Sequence, residues 1–275
     1  MEKPKKHPMS TFLSVCMKVS IALTVGILVI LIGYILIKGI PHIKPELFAW
    51  EFTTSNQSMM PSIINTIIMT LLTLLIAIPF GIGAAIYLVE YAKQNSIAVK
   101  LIRITAETLS GIPSIVFGLF GFLLFGVALG WGYSLIGGAL TLAIMVLPVI
   151  MRTTEEALLG VPASYREASF GLGAGKIRTI FNVVLPSAIP GILAGIILSV
   201  GRIVGETAAL IFTAGAVAKI PDGLFASTRT LSVHMYALLN EGLHMEAAYA
   251  TAVVLLIVVI GINCISNIVA KKLAK

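Results

Sequence analysis

Residues 63–89 read IINTIIMTLLTLLIAIPFGIGAAIYLV, and none of these 27 residues carries a charged side chain. An α-helix needs about 20 consecutive apolar residues to cross the hydrocarbon core of a bilayer. The apolar residues form a continuous run and do not alternate with polar ones, which excludes a β-barrel strand. The stretch therefore predicts a transmembrane helix, and its excess length predicts tilt or protrusion.

The rest of the chain has the same character. Of its 275 residues, 58% are hydrophobic and only 11% are charged. So few charges cannot cover the surface of a soluble domain of this size, which excludes an ordinary cytosolic enzyme, a disordered protein and a nucleic-acid-binding domain. We predict an all-α polytopic membrane protein, with residues 1–275 forming a single domain. Its six predicted transmembrane helices cover residues 19–37, 63–89, 112–130, 133–151, 188–214 and 247–270.

The distribution of Lys and Arg predicts the orientation of these helices. With both chain ends placed in the cytoplasm, 14 of the 19 basic residues lie inside and four lie outside. Cytoplasmic loops of membrane proteins carry such an excess, which also explains the net charge of +7 without any nucleic acid. We therefore predict cytoplasmic termini, a cytoplasmic loop at 152–186 and an external segment at 215–246. The four external basic residues are Lys38, Lys44, Lys219 and Arg229.

The loop between the fourth and fifth helices carries a spaced motif. Glu167-Ala168-Ser169 is followed after three residues by Gly173, and after nine more by Val183, Val184 and Leu185-Pro186. Its composition predicts a helix, a glycine-rich turn and a second helix that ends at Leu185-Pro186. Gly173 is expected to permit a sharp turn with positive φ.

This motif resembles the EAA motif of the permeases of ABC importers, with Ser169 and Val183 as mild departures. The resemblance implies a type I importer permease whose coupling helix docks on a separate ATP-binding subunit. The residues that it assigns to coupling are Glu167, Ala168, Ser169, Gly173, Leu185 and Pro186.

Part of the same loop has a limited likeness to a phosphate-binding loop. Such a loop needs Gly, four residues, Gly-Lys and then Ser or Thr after a strand. Here position 170 is Phe and position 177 is Ile, and no strand is predicted before them. We therefore expect no ATPase site and no cofactor in this chain, with ATP bound by a partner subunit.

The fifth predicted helix contains charges inside the membrane. Arg202 and Glu206 are four residues apart, so they are expected to share one helical face that points to the bundle interior or to an aqueous cavity. Two interpretations stay open: an ion pair that only orders the helix, and a site for an oxyanion on its path. Thr66, Thr70 and Thr73 share a face of the second helix. They also allow two interpretations: they line the path of an oxyanion, or they serve helix packing.

Two further patterns concern packing and metals. Gly191 with Gly195 and Gly201 with Gly205 are spaced to let a neighbouring helix approach closely, which suits a core formed by two subunits. His234 and His244 lack a third ligand in the outer segment, so no metal site is predicted.

A second resemblance concerns the substrate. Residues 201–209, Gly-Arg-Ile-Val-Gly-Glu-Thr-Ala-Ala, resemble the Arg-Ala-x-Gly-Glu-Thr-Ala segment of phosphate-specific permeases, except that Ile203 replaces Ala. Residues 110–118, 183–191 and 227–232 are similar to that group too, and the likeness covers most of the chain beyond the first helix. It points to the A-type permeases of the phosphate-specific (Pst) importers.

The second resemblance implies a set of partners and a location. The partners are a homologous C-type permease, a cytoplasmic dimer of ATP-binding subunits, an extracytoplasmic phosphate-binding protein and membrane lipid. The location is the inner membrane of a bacterium. The residues that the resemblance places on the substrate path are Arg202, Glu206 and Thr207.

Other functions remain as alternatives. One alternative is the same machine for another solute, such as sulfate, molybdate or polyamine, of which an Arg on the path disfavours the cation but not the other oxyanions. An ion-coupled secondary transporter is expected to have inverted repeats or broken helices, and the sequence indicates neither. An intramembrane enzyme is disfavoured because no paired Asp, His-Glu-x-x-His or Gly-x-Ser-x-Gly occurs in a predicted span.

Overall fold

The computed structural model describes residues 8–93 and 96–273, and it contains helices but no strand within those residues. The all-α prediction is confirmed. Lys3, Lys5, Lys6 and Lys275, which enter the charge argument, lie outside the described residues. The α-helices are α1 (Pro8–Gly39), α2 (Met60–Ile86), α3 (Ile97–Ser110), α4 (Ser114–Gly121), α5 (Leu135–Leu159), α6 (Ala163–Gly171), α7 (Lys176–Thr179), α8 (Leu185–Gly205), α9 (Ala208–Thr213), α10 (Leu231–Glu241) and α11 (Met245–Leu273).

Within the described residues, five helical segments are long and apolar enough to span a membrane. A bent pair of helices, Ile97–Ser110 with Ser114–Ala128, raises the number to six if the pair counts as one span. Three segments include π-helical turns that continue α2 to Tyr91, continue α4 to Ala128, and join α7 to α8. The five single segments are Phe12–His42, Met60–Tyr91, Leu135–Leu159, Lys176–Gly205 and Met245–Ile268.

The helix predicted at 112–130 is present but shorter than predicted, from Ser114 to Ala128. The helical part, Ser114–Ala128, is about 22 Å long at ~1.5 Å per residue, which is less than the ~30 Å hydrocarbon core. The preceding helix α3 is bent by 103° relative to it across a break at Gly111, Ile112 and Pro113. Proline cannot donate a backbone N–H, and it disfavours helical geometry at the residue before it.

The predicted limits of the loop at 152–186 also need correction. Helix α5 continues to Leu159, so the charged residues after 151 extend the fourth predicted helix. The helix expected to stop at Leu185-Pro186 instead runs without interruption from Lys176 to Gly205. Pro186 has no N–H to donate, but the π-helical turn Ile180–Val184 precedes it and lets the chain remain helical.

The core is built around α5, which packs on α2 and α8. Buried Leu142, Met145, Val146 and Ile150 of α5 form one cluster with Met69 of α2. Helix α1 instead packs on α11, and most of its apolar side chains are exposed. Exposed apolar side chains on a spanning helix are suited to contact with lipid.

The first glycine pair of α8 is used inside this chain. A Cβ on Gly191 would lie 2.6 Å from the Cβ of Ala157, and one on Gly195 would overlap the Thr153 hydroxyl, both on α5. The close approach of a neighbouring helix is therefore confirmed, and for this pair that helix is α5 of the same chain. By contrast, a Cβ on Gly205 would meet no atom of the described residues within 4 Å.

Candidate functional site

The EAA-like residues lie on a short exposed helix. Helix α6 begins at Ala163, directly after Pro162, and carries Glu167 and Ala168 on its exposed surface. The apolar side chains of Tyr165, Phe170 and Leu172 are exposed beside them, with Leu172 as much as 90% exposed. A charged residue among exposed aromatic and aliphatic side chains is typical of a surface that binds another protein. We call Tyr165, Glu167, Phe170 and Leu172 the α6 surface.

The turn after α6 has the geometry that the sequence predicts. Gly173 has φ of +82°, so the prediction of a positive φ is confirmed. Its N–H donates to the carbonyl of Phe170 at 2.9 Å, and the N–H of Ala174 donates to that of Ser169 at 3.1 Å. These two bonds satisfy carbonyl groups at the end of the helix and reverse the chain.

The departure of Ser169 from the EAA pattern has a structural counterpart. Its hydroxyl lies 2.8 Å from the hydroxyl of buried Thr179, which joins α6 to α7 on the other side of the turn. Leu185 is partly buried against the cluster that contains Leu158 and Val184. Pro186 is exposed in the first turn of α8.

Arg166 fastens α6 to two spanning helices. Its Nη2 and Nε donate to Glu90 Oε1 at 2.8 and 3.0 Å. Nη1 donates to the carbonyl of Val161 and Nη2 to that of Leu158, each at 2.9 Å. The guanidinium thus joins α6 to the end of the α2 segment and to carbonyl groups in the last turn of α5 and just after it. Nearby, the Lys176 Nζ lies 4.6 Å from the centre of the Tyr91 ring.

Sequence reasoning missed this ion pair, because 76 residues separate Glu90 from Arg166. One local signal was available. Glu90 is the first charged residue after the uncharged run at 63–89, and Arg166 directly precedes the motif. A pairing between them could not be read from either position alone.

A second group of charges joins α3 to α5 near the same end of the bundle. Arg103 Nε donates to Glu155 Oε1 at 2.8 Å. Arg152 lies 3.8 Å from both Glu107 and Glu156, and these three side chains are largely exposed. The five side chains line a cavity of about 290 Å³. They fix α3 to α5 although α3 is bent away from α4.

The expectation that Arg202 and Glu206 share one helical face is wrong. Arg202 lies in the last turn of α8, whereas Glu206 follows the helix end with an extended backbone (φ −71°, ψ 130°). Glu206 Oε1 accepts from the N–H of Ala209 at 3.1 Å and so caps α9. Within residues 8–93 and 96–273, neither charge forms an ion pair within 4.0 Å.

Tertiary contacts account for the break at Glu206. The Ser232 hydroxyl of α10 donates to the Glu206 carbonyl at 2.6 Å. In a continuous helix that carbonyl would accept from a backbone N–H, and here a side chain 26 residues away takes the place of that donor. Thr207 is the residue before α9. Helix α9 packs closely on α4, since a Cβ on Gly118 would lie 2.8 Å from the Cα of Ala209. The expectation of no broken helices therefore fails at 111–113 and at 206–207.

The threonines of α2 act mainly in packing. The Thr66 hydroxyl donates to the carbonyl of Ser62 at 2.7 Å and accepts from the N–H of Leu231 at 2.8 Å. Thr70 donates to the Thr66 carbonyl at 2.7 Å. These bonds favour helix packing over path lining for Thr66 and Thr70. Thr73 is buried with no hydrogen-bond partner in the described part of the chain.

Residues 77–275 match the family of binding-protein-dependent transport system inner membrane components. The match covers well over half of the chain, and the chain belongs to this family. It is therefore the membrane permease component of an ABC importer, in keeping with its EAA-like helix and its apolar spans.

Two curated relatives resemble the chain over much of its length. A probable ABC transporter permease, YqgI of Bacillus subtilis strain 168, is 37% identical over 246 residues, which are 82% of each chain. The phosphate transport system permease PstA 1 of Mycobacterium tuberculosis is 38% identical over 202 residues, which are 72% of this chain and 66% of the relative.

Two solved structures share the fold. The permease of a bacterial alginate ABC transporter aligns with a TM-score of 0.72 at 15% identity, over 97% of this chain and 96% of its own. The inward-facing MetNI methionine ABC transporter aligns with a TM-score of 0.63 at 20% identity, over 78% of this chain and 94% of its own. The chain thus has the permease fold of type I ABC importers.

Proposed function

We propose that the chain is a permease subunit of an ATP-driven importer for inorganic phosphate, and that it forms half of the translocation path with a second, homologous permease. The observation that supports phosphate as the substrate is the 38% identity to a phosphate transport permease over 202 residues. The segment at 201–209, which resembles phosphate-specific permeases, supports it. An importer of another oxyanion is the second candidate, because the relative from Bacillus subtilis is named only as a probable ABC permease.

In this proposal the α6 surface docks on an ATP-binding subunit, which supplies the nucleotide site. Movement of α6 would be transmitted to α2 and α5 through Arg166, which donates hydrogen bonds to Glu90 and to the Leu158 carbonyl. The chain ends and α6 face the cytoplasm, in keeping with the excess of basic residues there. The segment at 215–246 faces outward, where a phosphate-binding protein delivers the solute.

Orientation is tested with cysteines placed at Ala174 and Ala226, in a chain whose Cys16 and Cys264 are replaced. An impermeant thiol reagent applied to intact cells is expected to label only the cysteine at 226. Labelling at 174 on intact cells would contradict the proposed orientation.

Arg202 is proposed to contact the oxyanion during passage. Because Arg202 has no ion-pair partner in the described residues, its planar guanidinium is available to donate two hydrogen bonds to oxygen atoms of one phosphate. The contact must stay weak, since a site that holds its ion tightly cannot release it. Glu206 and Thr207, at the helix break beside it, shape this part of the path.

Uptake of labelled phosphate by the reconstituted assembly tests this role. Arg202→Gln is expected to abolish uptake and Arg202→Lys to reduce it strongly, while the assembly stays intact. The double variant Arg202→Gln/Glu206→Gln should be as inactive as the single one, because Glu206 does not neutralise Arg202. Recovered uptake in the double variant would contradict the role, and competition by sulfate or molybdate would favour the second candidate.

The docking role is tested at the turn after α6. Any side chain at position 173 must adopt the left-handed region, at a cost of roughly 1–2 kcal/mol. Gly173→Val is therefore expected to reduce uptake and to weaken co-purification of the ATP-binding subunit, as is Glu167→Lys. Gly171→Ala is the matched control, since Gly171 lies on α6 and a Cβ there meets no described atom within 4 Å. Full uptake in both Gly173→Val and Glu167→Lys would exclude α6 as the docking site.

A further inference from the structure

A buried polar cluster lies at the other end of α2 from Glu90. The α2 segment has 32 residues and is about 48 Å long at ~1.5 Å per residue, so the cluster and the α6 surface are at opposite ends of the bundle. Arg229 is only 5% exposed, and His234 is fully buried. We call the following six residues the Arg229 cluster: Gln57, Ser62, Asn65, Thr228, Arg229 and His234.

Contacts join Arg229, His234 and Asn65, and the other three residues adjoin them: Thr228 precedes Arg229, Ser62 lies one turn before Asn65 on α2, and the Gln57 backbone bonds to His234. The Arg229 guanidinium carbon lies 4.7 Å from the centre of the Phe52 ring, which meets the His234 ring edge-on at 6.0 Å between centres. Asn65 Nδ2 donates to the Arg229 carbonyl at 3.2 Å and to that of Lys219 at 2.9 Å. Four segments of the chain therefore converge: the loop before α2, the first turns of α2, the loop after α9, and α10.

The charge of Arg229 has no close counter-ion among the described residues. Within residues 8–93 and 96–273, no carboxylate lies within 4.0 Å of it, and its Nε and Nη2 make no hydrogen bond. Burial lowers the pKa of Arg229 to about 10, although the more distant Glu241 raises it, so the group stays charged at neutral pH. Burial of an unpaired ion is strongly unfavourable, and the contact with the Phe52 ring offsets only part of that cost. An anionic ligand would remove this imbalance.

His234 adds hydrogen-bonding groups to the cluster without adding charge. Burial and the charge of Arg229 lower the pKa of His234 to about 3, and the Gln57 backbone offsets this only in part. At neutral pH one ring nitrogen donates, with the Gln57 backbone as its partner, and the other ring nitrogen can only accept. The cluster therefore carries a single fixed positive charge.

The remaining unpaired atoms indicate which anion fits. The hydroxyls of Ser62 and Thr228 can donate to oxygen atoms of a ligand, whereas Gln57 Oε1 and Asn65 Oδ1 can only accept. An anion that has both bare oxygens and a hydroxyl satisfies both kinds. Sulfate carries no proton at neutral pH, so it would leave the two buried amide oxygens without a donor, which is unfavourable.

We propose that the Arg229 cluster is a binding site for a small, singly charged oxyanion that carries at least one hydroxyl, such as dihydrogen phosphate. The site adjoins the proposed path, since Ser232, three residues after Arg229, bonds to the Glu206 carbonyl at 2.6 Å. The choice of phosphate rests on the proposed function, whereas the need for a singly charged, hydroxyl-bearing anion comes from the cluster itself.

Hydrogen–deuterium exchange on the complete permease and ATPase assembly, without binding protein, tests the site. Inorganic phosphate, sulfate and chloride are compared at equal ionic strength. With phosphate at about ten times its dissociation constant, exchange in residues 51–65 and 219–234 is expected to slow about tenfold. Sulfate and chloride should leave both segments unchanged.

Variants assign the effect to Arg229. Arg229→Gln should remove the protection by phosphate, whereas Lys219→Gln should keep it, because the Lys219 side chain is exposed and pairs with Asp222 at 2.8 Å. If Arg229→Gln does not assemble, the wild-type comparison of the three anions decides by itself.

Three outcomes would overturn the inference. They are no protection by phosphate in these segments, equal protection by sulfate, and protection that follows assembly with the second permease but not addition of phosphate. The last would identify a partner carboxylate as the counter-ion of Arg229. Uptake measured on the same preparation after reconstitution with the phosphate-binding protein separates this result from the proposed function: phosphate uptake without protection would reject the site and leave the function standing.

Discussion

Replacing Arg166 with methionine should destabilise the protein and uncouple the α6 surface from the spanning helices. The change removes four hydrogen bonds and leaves the Glu90 carboxylate, which is only 10% exposed, without its cation. Removing one member of a buried pair costs about 3–5 kcal/mol. Because Arg166 itself is 20% exposed, we expect the lower end of that range, about 3 kcal/mol.

A double variant separates the charge from the rest of the interaction. Arg166→Met/Glu90→Gln removes both charges and is expected to recover about half of the loss. Recovery should be incomplete, because the carbonyls of Leu158 and Val161 still lose their donor. The free energy of unfolding of the purified chain in detergent measures both effects.

Arg152→Met is the matched control. Arg152 is also near the end of α5, but its two carboxylate contacts are exposed and 3.8 Å long, so its loss should cost less than about 1 kcal/mol. In the reconstituted assembly, Arg166→Met should lower phosphate uptake per ATP hydrolysed, whereas Arg152→Met should not. Equal stability of the two variants, or unchanged coupling in Arg166→Met, would refute the reasoning.

Two further changes test packing and protonation. Gly195→Ala places a methyl group against Thr153 and should lower the free energy of unfolding by about 1–3 kcal/mol through overpacking. Gly205→Ala, at an open position, should be tolerated. Equal thermal stability of the two variants would contradict the close approach of α8 to α5. Because the pKa of His234 is about 3 in the folded protein and ~6.5 when unfolded, the unfolded chain binds the extra proton as pH falls below ~6.5. Stability should therefore drop by about 2 kcal/mol between pH ~7 and pH ~5, and His234→Gln should remove that part of the pH dependence. An unchanged pH profile in the variant would exclude a buried neutral histidine.

Local patterns accounted for most of the fold and for the turn at the candidate docking site. The uncharged run at 63–89 became the spanning part of α2, and Gly173 has the positive φ expected of it. Apolar length and glycine geometry act within a few residues, so a sequence displays them directly. Pro113 is also a local signal, and the break at 111–113 could have been predicted from it.

Contacts between distant residues decided the rest. The separation of Arg202 from Glu206 depends on Ser232 of another helix, and the ion pair of Arg166 with Glu90 joins residues 76 positions apart. The burial of Arg229 depends on Phe52 and α2, far from it in sequence. The sequence by itself determined which segments enter the membrane and which short helix carries the motif, because hydrophobic length and backbone preference are local quantities. Only the tertiary structure decided which charges pair and which stay buried alone, because pairing depends on distances that folding alone creates.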